Sequence, residues 1–200
     1  MRSSSDHSRR TLMTSLASLP LASLSQVSAA YRSAEQRRSS SLVVYFSRTG
    51  NTRVVAGLIQ RAIGADIFEI HPAVDYPEEY LAAVEQARKE RDHGVEPALQ
   101  SKMHAIAGYD TVFLGFPIWG ETAPPIIRSF LSAHDLSGKT LVPFITHGGY
   151  GLGNSEAVIK RHAPKALLRP GFSLQADQER QTMDRVNEWM RDVPVRRKTP

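Results

Sequence analysis

Three segments of the chain carry glycines, hydroxyls and aromatic rings at spacings that suit a phosphorylated, ring-containing ligand. The first, loop 1, consists of Ser47, Arg48, Thr49, Gly50, Asn51 and Thr52. Its glycine lets the backbone approach an anion, and free N–H groups at the start of the following helix would point towards it. Because hydroxyl donors and an arginine accompany them, loop 1 predicts a phosphate site, and an ordinary turn with a threonine cap is the alternative.

The second segment, loop 2 (residues 116–124), places a tryptophan directly after an apolar run. Its predicted ligand-binding residues are Pro117, Ile118, Trp119 and Gly120. An indole at the carboxyl end of a strand predicts a stacking platform for a flat ring. A tryptophan that only covers the core is the alternative.

The third segment, loop 3 (residues 146–154), has glycine at four of the six positions from 148 to 153. That density exceeds what a simple connection needs, and it indicates backbone packed directly against a ligand. The predicted binding residues here are Thr146, His147, Gly148, Gly149, Tyr150 and Gly151.

Composition excludes several other kinds of site. The 200 residues include no cysteine, so disulfides, thiolate zinc sites and a cysteine nucleophile are excluded. Loop 1 lacks the Gly-x-x-x-x-Gly-Lys pattern of nucleoside triphosphate sites, and no His, Asp and Glu residues have metal-ligand spacing. A formal net charge of +5 is too modest to predict nucleic-acid binding. No apolar run reaches the roughly 18–20 residues of a membrane-spanning helix.

The elements that must position the three loops alternate between strand and helix. Apolar, β-branched runs predict strands at residues 42–46, 67–70, 111–116, 141–146 and 172–174. Helical spacing predicts helices at residues 53–63, 77–93, 125–131, 155–162 and 183–190. On the second helix, Leu81, Val84 and Ala87 are predicted to face inwards. This alternation predicts an α/β fold, a doubly wound five-stranded parallel sheet with the ligand at the carboxyl ends of its strands.

Four segments together resemble the flavodoxin-like FMN-binding family. They are residues 45–52, 75–80, 113–120 and 146–151, and the resemblance covers residues 42–192. It implies the strand order 2-1-3-4-5, an FMN whose phosphate lies in loop 1, and an isoalloxazine ring between loops 2 and 3. The chain departs from the family at Gly120, where a second aromatic residue is frequent, and at His147 and Tyr150, where serine is frequent. These changes border the expected ring, so the resemblance does not carry over redox tuning or substrate.

The resemblance implies an FMN-dependent redox protein that transfers electrons to a redox partner protein or reduces a small acceptor such as a quinone. His147 is the predicted catalytic residue, since an imidazole that titrates near pH ~6.5 would supply a proton as the flavin is reduced; a loop-capping role is the alternative. Carrier flavodoxins are generally acidic, so the basic charge disfavours conventional carrier partners. A flavodoxin-fold binding or scaffold protein without working flavin chemistry is the alternative of another class.

The first forty residues differ in composition from the rest. A basic start, a moderately apolar stretch at residues 12–27 and small residues at 28–30 follow the plan of an export signal. Arg9 and Arg10 precede the apolar stretch, which resembles a twin-arginine (Tat) signal; a basic tail and a mitochondrial presequence are the alternatives.

The predicted organisation is therefore a signal peptide at residues 1–30, a linker at 31–40, the FMN-binding domain at 41–193 and a tail at 194–200. The Tat machinery would then export the folded precursor to the periplasm. A cytoplasmic or mitochondrial location follows if the leader has another role.

Overall fold

The computed structural model of this chain describes residues 41–175 and 179–194. The predicted signal peptide and linker (residues 1–40) and most of the predicted tail lie outside the described residues. Their assignment stays a prediction.

A parallel sheet forms the centre of the domain. Its strands are β1 (Ser41–Tyr45), β2 (Asp66–Glu69), β3 (Thr111–Pro117), β4 (Thr140–His147), β5 (Leu167–Leu168) and β6 (Phe172–Gln175). The order across the sheet is β2-β1-β3-β4-β5, and β6 also pairs with β4. Every pair is parallel. The predicted α/β fold and the order 2-1-3-4-5 are therefore confirmed.

Helices cover both faces of this sheet. They are α1 (Asn51–Ile63), α2 (Tyr80–Asp92), α3 (Pro125–Ala133), α4 (Ser155–His162) and α5 (Glu179–Asp192), with a short 3-10 helix at Ile106–Gly108. Apolar residues of α1 and α5 pack into one core, and those of α2, α3 and α4 pack into the other.

The sequence of β1 explains why the sheet is buried on both sides. Leu42 and Val44 belong to one core, whereas Val43 and Tyr45 belong to the other. Successive side chains of a strand point to opposite faces, so an uninterrupted apolar run supplies both cores at once. The three loops at the carboxyl ends of β1, β3 and β4 thus start from strands that are buried over most of their length.

Residues 169–171 interrupt the fifth position of the sheet. β5 pairs with Thr140 and Leu141, and β6 begins opposite Phe144. Three residues on this side thus face two on β4, which is a bulge of one extra residue. Pro170 lies within it and has no N–H to donate to the ladder. The predicted strand at 172–174 corresponds to β6, and β5 was not predicted.

The second predicted helix starts later than residue 77. Glu79 caps α2, since its carboxylate accepts hydrogen bonds from the Leu81 N–H at 2.8 Å and from the Ala82 N–H, and these bonds lower the pKa of Glu79. Leu81 is 69% exposed, whereas Ala83 and Ala87 form the buried face. The prediction that Leu81 faces inwards is therefore wrong: Leu81 lies in the exposed first turn of α2, and the buried face of this helix starts at Ala83.

Candidate functional site

Loops 1, 2 and 3 meet at one edge of the sheet. The Thr52 hydroxyl, at the start of α1, shares a hydrogen bond of 2.8 Å with the Thr146 hydroxyl at the end of β4. The Ile118 N–H of loop 2 donates to the Thr146 carbonyl oxygen at 2.8 Å. Thr146 therefore ties together all three segments that the sequence singled out.

Loop 1 is shaped by one serine. Ser47 Oγ accepts hydrogen bonds from the Gly50 N–H at 3.2 Å and from the Arg53 N–H at 3.3 Å. Gly50 has φ 96°, in the left-handed region that favours glycine. Within the described part of the chain, the N–H groups of Thr49, Asn51 and Thr52 have no acceptor. They are the donors that the beginning of a helix presents to an anion.

Two side chains of loop 1 have other partners. The Thr52 side chain is buried, and its hydroxyl is hydrogen-bonded to Thr146. The group of Thr52 that is available to a ligand is therefore its N–H and not its hydroxyl. Arg48 Nη1 donates to the Glu78 carbonyl oxygen at 3.1 Å, and its guanidinium carbon lies 5.6 Å from the centre of the Tyr80 ring. Arg48 thus braces loop 1 against the segment that leads into α2.

Trp119 of loop 2 lies in an aromatic cluster. Its ring makes edge contacts with Phe46 at 5.4 Å and Tyr76 at 4.9 Å between ring centres, and the residue is only 9% exposed. The Tyr76 hydroxyl donates to Glu90 Oε2 at 2.8 Å, and burial and this carboxylate raise the pKa of Tyr76. This placement agrees with the alternative that Trp119 covers the core. Stacking of Trp119 on a ligand ring stays a prediction.

Loop 2 turns back sharply after Trp119. The Trp119 N–H donates to the Thr122 carbonyl oxygen at 3.0 Å, and the two residues between them have positive φ, 56° at Gly120 and 66° at Glu121. Before the turn, Pro117 ends β3 and Ile118 packs partly buried against the core. The turn therefore projects away from a fixed base.

The histidine of loop 3 makes a local hydrogen bond. His147 ends β4, and its Nδ1 accepts a hydrogen bond from the Gly149 N–H at 3.0 Å. Partial burial lowers the pKa of His147, and the charge of Arg185 lowers it further. The neutral ring with a proton on Nε2 is the form that makes this bond.

At the tip of loop 3, the packing of the protein leaves room for a side chain at the glycine positions 148, 149 and 151. A Cβ added to Gly148, Gly149 or Gly151 would meet no atom within 4 Å. Tyr150, between them, is 64% exposed. This open backbone has the space that close approach of a ligand requires.

Loops 2 and 3 are locked together at their bases, a contact that the sequence did not predict. The Asn154 N–H donates to the Glu121 carbonyl oxygen at 3.0 Å. A Cβ on Gly153 would overlap that same oxygen and lie 2.7 Å from the carbonyl carbon. The fourth glycine of loop 3, at position 153, was the available signal, since it alone of the four is in close contact with the backbone of loop 2.

Two cavities flank this edge of the sheet. One, of about 390 Å³, lies between loop 1 and residues 71–78. The other, of about 290 Å³, lies between loops 2 and 3 and also contacts Arg91, a residue that the sequence did not predict as part of the site.

Among the described residues, no His, Asp and Glu group has the arrangement of a metal site. No described helix has the length and apolarity to cross a membrane.

Comparisons with known proteins agree on one family. The flavodoxin family model matches residues 40–193. A protein of Bacteroides eggerthii described as a flavoprotein is 36% identical, with a TM-score of 0.69 over 80% of this chain and 100% of that chain. Another from Bacteroides uniformis is 32% identical, with a TM-score of 0.70 over 78% of this chain and 100% of that chain.

A flavoprotein of Lactobacillus acidophilus in complex with FMN is more distant. It is 17% identical, with a TM-score of 0.61 over 73% of this chain and 99% of that chain, so the likeness shows the fold alone. No curated protein matches this chain.

Proposed function

From the premise that this chain belongs to the flavodoxin family, with FMN as its cofactor, we propose that it is a redox protein that reduces a small acceptor such as a quinone. The observation that carries the proposal is the meeting of the three loops, which the 2.8 Å bond between Thr52 and Thr146 ties together. Bound FMN would supply reversible uptake and release of electrons, while the protein binds, orients and shields it.

Loop 1 would hold the phosphate of FMN. The N–H groups of Thr49, Asn51 and Thr52 lie at the start of a 13-residue helix. No acidic residue occupies the first turn of that helix, so its positive end is not neutralised. Ser47 would also fix the turn, because its Oγ accepts two N–H groups, while its hydroxyl hydrogen can still be donated to the phosphate.

Loops 2 and 3 would hold the isoalloxazine ring. Phe46 and Tyr76 fix the indole of Trp119, so this side of the site is already ordered before a ligand binds. The open backbone of Gly148, Gly149 and Gly151 faces no protein atom that a ligand would have to displace. Main-chain N–H groups of this segment, other than that of Gly149, which donates to His147 Nδ1, would then bond to the edge of the ring.

His147 would serve as the proton donor only as the imidazolium, whose Nδ1 is protonated and would no longer accept the Gly149 N–H. In the neutral ring, Nδ1 is held by Gly149 at 3.0 Å, which fixes the orientation of the ring. Partial burial lowers the pKa of His147, so the neutral ring, which donates a hydrogen bond from Nε2–H but no proton, prevails at pH 7. Proton donation by the imidazolium is therefore expected to increase as the pH falls.

The mature protein itself provides the main test. We expect it to be yellow when purified, to release FMN on denaturation, and to be reduced by a quinol faster than by NAD(P)H when the two are compared in parallel. The expected preference for a quinol follows from the predicted periplasmic location, where little NAD(P)H is present. A colourless protein that does not bind added FMN would refute the flavin function and favour the scaffold alternative.

Export of the folded precursor through the Tat system is a separate part of the proposal. It is supported by the arginine pair ahead of the apolar stretch and by the need to load FMN before export. We expect the double variant Arg9→Lys, Arg10→Lys to accumulate as precursor inside the cell. The matched control is Arg37→Lys, Arg38→Lys, which changes the arginine pair of the predicted linker and should be exported. Normal export of the Arg9, Arg10 variant would refute the Tat assignment.

A further inference from the structure

A long connection between α2 and β3 is held to α3 by a histidine. This connection, residues 93–110, contains one short 3-10 helix at Ile106–Gly108. The Met103 N–H, near its middle, donates to His134 Nε2 at 3.0 Å. His134 directly follows α3, and Met103 packs partly buried against the core. The hydrogen bond therefore fixes a segment that has little regular structure of its own.

The other ring nitrogen of His134 determines which protonation state makes this bond. Nδ1 lies 2.7 Å from the Phe130 carbonyl oxygen, which can only accept, so Nδ1 carries a proton. The Met103 N–H can only donate, so Nε2 carries none. The imidazole also lies against the fully buried Phe130 ring, with 4.2 Å between the ring centres. His134 is thus held as the neutral Nδ1–H tautomer by two hydrogen bonds of opposite direction.

A second proton on His134 would break its bond to Met103. Nε2–H and the Met103 N–H would then be two donors that face each other. Burial lowers the pKa of His134, whereas the bond to the Phe130 carbonyl raises it. The charges of Lys102 and His104, both on the connection, lower it further. The folded protein therefore favours the neutral ring, and acid acts against the contact.

Two carboxylates near the connection have partners of their own. Asp135, next to His134, accepts a backbone N–H of the following turn at 3.0 Å. Glu96, near the start of the connection, accepts the Ser132 hydroxyl of α3 at 2.9 Å and lies 3.6 Å from His162 Nε2. A proton on His162 would strengthen its attraction to Glu96. Acid therefore favours the contact at the start of the connection and opposes the contact at Met103.

The connection also supports one wall of the cavity beside loop 1. The Ala73 N–H donates to the Ala98 carbonyl oxygen at 2.8 Å, and the Gln100 N–H donates to the His71 carbonyl oxygen at the same distance. His71 is one of the residues that line this cavity of about 390 Å³. Gln100 lies three residues before Met103 in the chain, so a bond that fixes Met103 also restrains this wall.

We propose that His134 is an acid-sensitive latch, which holds the connection against α3 and, through it, one wall of the cavity beside loop 1. When its ring takes up a second proton, Met103 is released and the pairing of residues 98–100 with residues 71–73 loosens. Because the closed latch lowers the pKa of His134, its stability is fully present above pH ~6.5 and is lost as the pH falls. This device adds a conformational control to the proposed redox function and does not depend on the flavin.

Amide hydrogen exchange followed by NMR between pH ~7.5 and ~5.5 tests the latch in the range where an imidazole titrates. After correction for the intrinsic pH dependence of exchange, the protection of the Met103 N–H should fall by up to about tenfold per pH unit below ~6.5. The protection of Ala73 and Gln100 should fall in the same range, whereas Val44 and Leu114 of the central strands should keep theirs. Unchanged protection of Met103, or a loss at Met103 without any loss at Ala73 and Gln100, would overturn the proposal.

The variant His134→Gln supplies a latch that does not titrate. Its amide oxygen can accept the Met103 N–H at any pH, so the protection of Met103 should be the same at both ends of the range. The matched control is His162→Gln, which removes the histidine that contacts the connection at Glu96 and should keep the acid-induced loss. A loss in His134→Gln as large as that of the parent protein would overturn the proposal.

The nitrogen signals of the His134 ring in the parent protein give the same answer if His134→Gln does not fold. Nε2 should gain its proton over the pH range in which the protection of Met103 falls, and two separate ranges would overturn the latch. None of these measurements needs the flavin, so failure of the proposed redox function would be seen separately, as a colourless protein.

Discussion

Replacement of Gly153 by alanine should separate loops 2 and 3. Gly153 has φ 51°, and an alanine forced into the left-handed region costs about 1–2 kcal/mol. Its Cβ would also lie 2.7 Å from the Glu121 carbonyl carbon, which is backbone and cannot rotate away as a side chain would. Overpacking of this kind adds about 1–3 kcal/mol. We therefore expect Gly153→Ala to lower the free energy of unfolding by about 2–5 kcal/mol.

Gly151→Ala is the matched control for this prediction. Gly151 has φ 60°, so alanine meets the same backbone strain, but its Cβ would have no atom within 4 Å. Only the strain of about 1–2 kcal/mol should therefore remain. Both variants are unfolded in urea without FMN, so that a change in FMN affinity does not enter the comparison. Equal losses for Gly151→Ala and Gly153→Ala would refute the idea that the loops are locked by close contact of their backbones.

Three further predictions concern the residues at the edge of the sheet. Thr52→Val and Thr146→Val should each destabilise the protein, and a double-mutant cycle in urea should give a coupling of about 0.5–1.5 kcal/mol; additive losses would contradict the hydrogen bond. Because the folded state lowers the pKa of His147, the unfolded state binds more protons just below pH ~6.5. The free energy of unfolding should thus rise with pH up to ~6.5 and then level off. His147→Ala should reduce this rise only in part, since His134 also has a lowered pKa. An unchanged pH dependence in the variant would contradict the lowered pKa of His147. Trp119→Ala should brighten the fluorescence of bound flavin and weaken its binding, and unchanged fluorescence and affinity would exclude stacking.

The central strands could be predicted because their signal is local. β1, β3 and β4 are continuous apolar runs, which a sheet covered on both faces requires. The helix predicted at 155–162 has the same bounds as α4 (Ser155–His162), since glycine-rich sequence precedes it and Pro164 follows it. The family resemblance then supplied the strand order, because the order depends on connections that no local pattern specifies.

The contacts of the site could not be predicted in the same way. The partner of Trp119, Tyr76, lies 4.9 Å away between ring centres yet belongs to a segment before α2. The proximity of Arg91 to Gly120 likewise depends on how α2 packs, and the spacing of charged residues along that helix carries no information about it. The apolar spacing of α2 also does not show that its buried face is made of the small side chains of Ala83 and Ala87 while Leu81 is exposed.

The interruption of the fifth strand position has a consequence for how separate molecules meet. An uncovered strand at the border of a sheet can pair with the sheet of another molecule and begin aggregation. Here that border consists of β5 with two residues and β6 with four, separated by Pro170 and a bulge. Neither piece offers a long, flat row of donors and acceptors, and proline removes one donor between them. The bulge therefore breaks up the row of donors and acceptors that association between sheets requires. We expect that replacement of Pro170 together with deletion of one residue would make the purified protein self-associate.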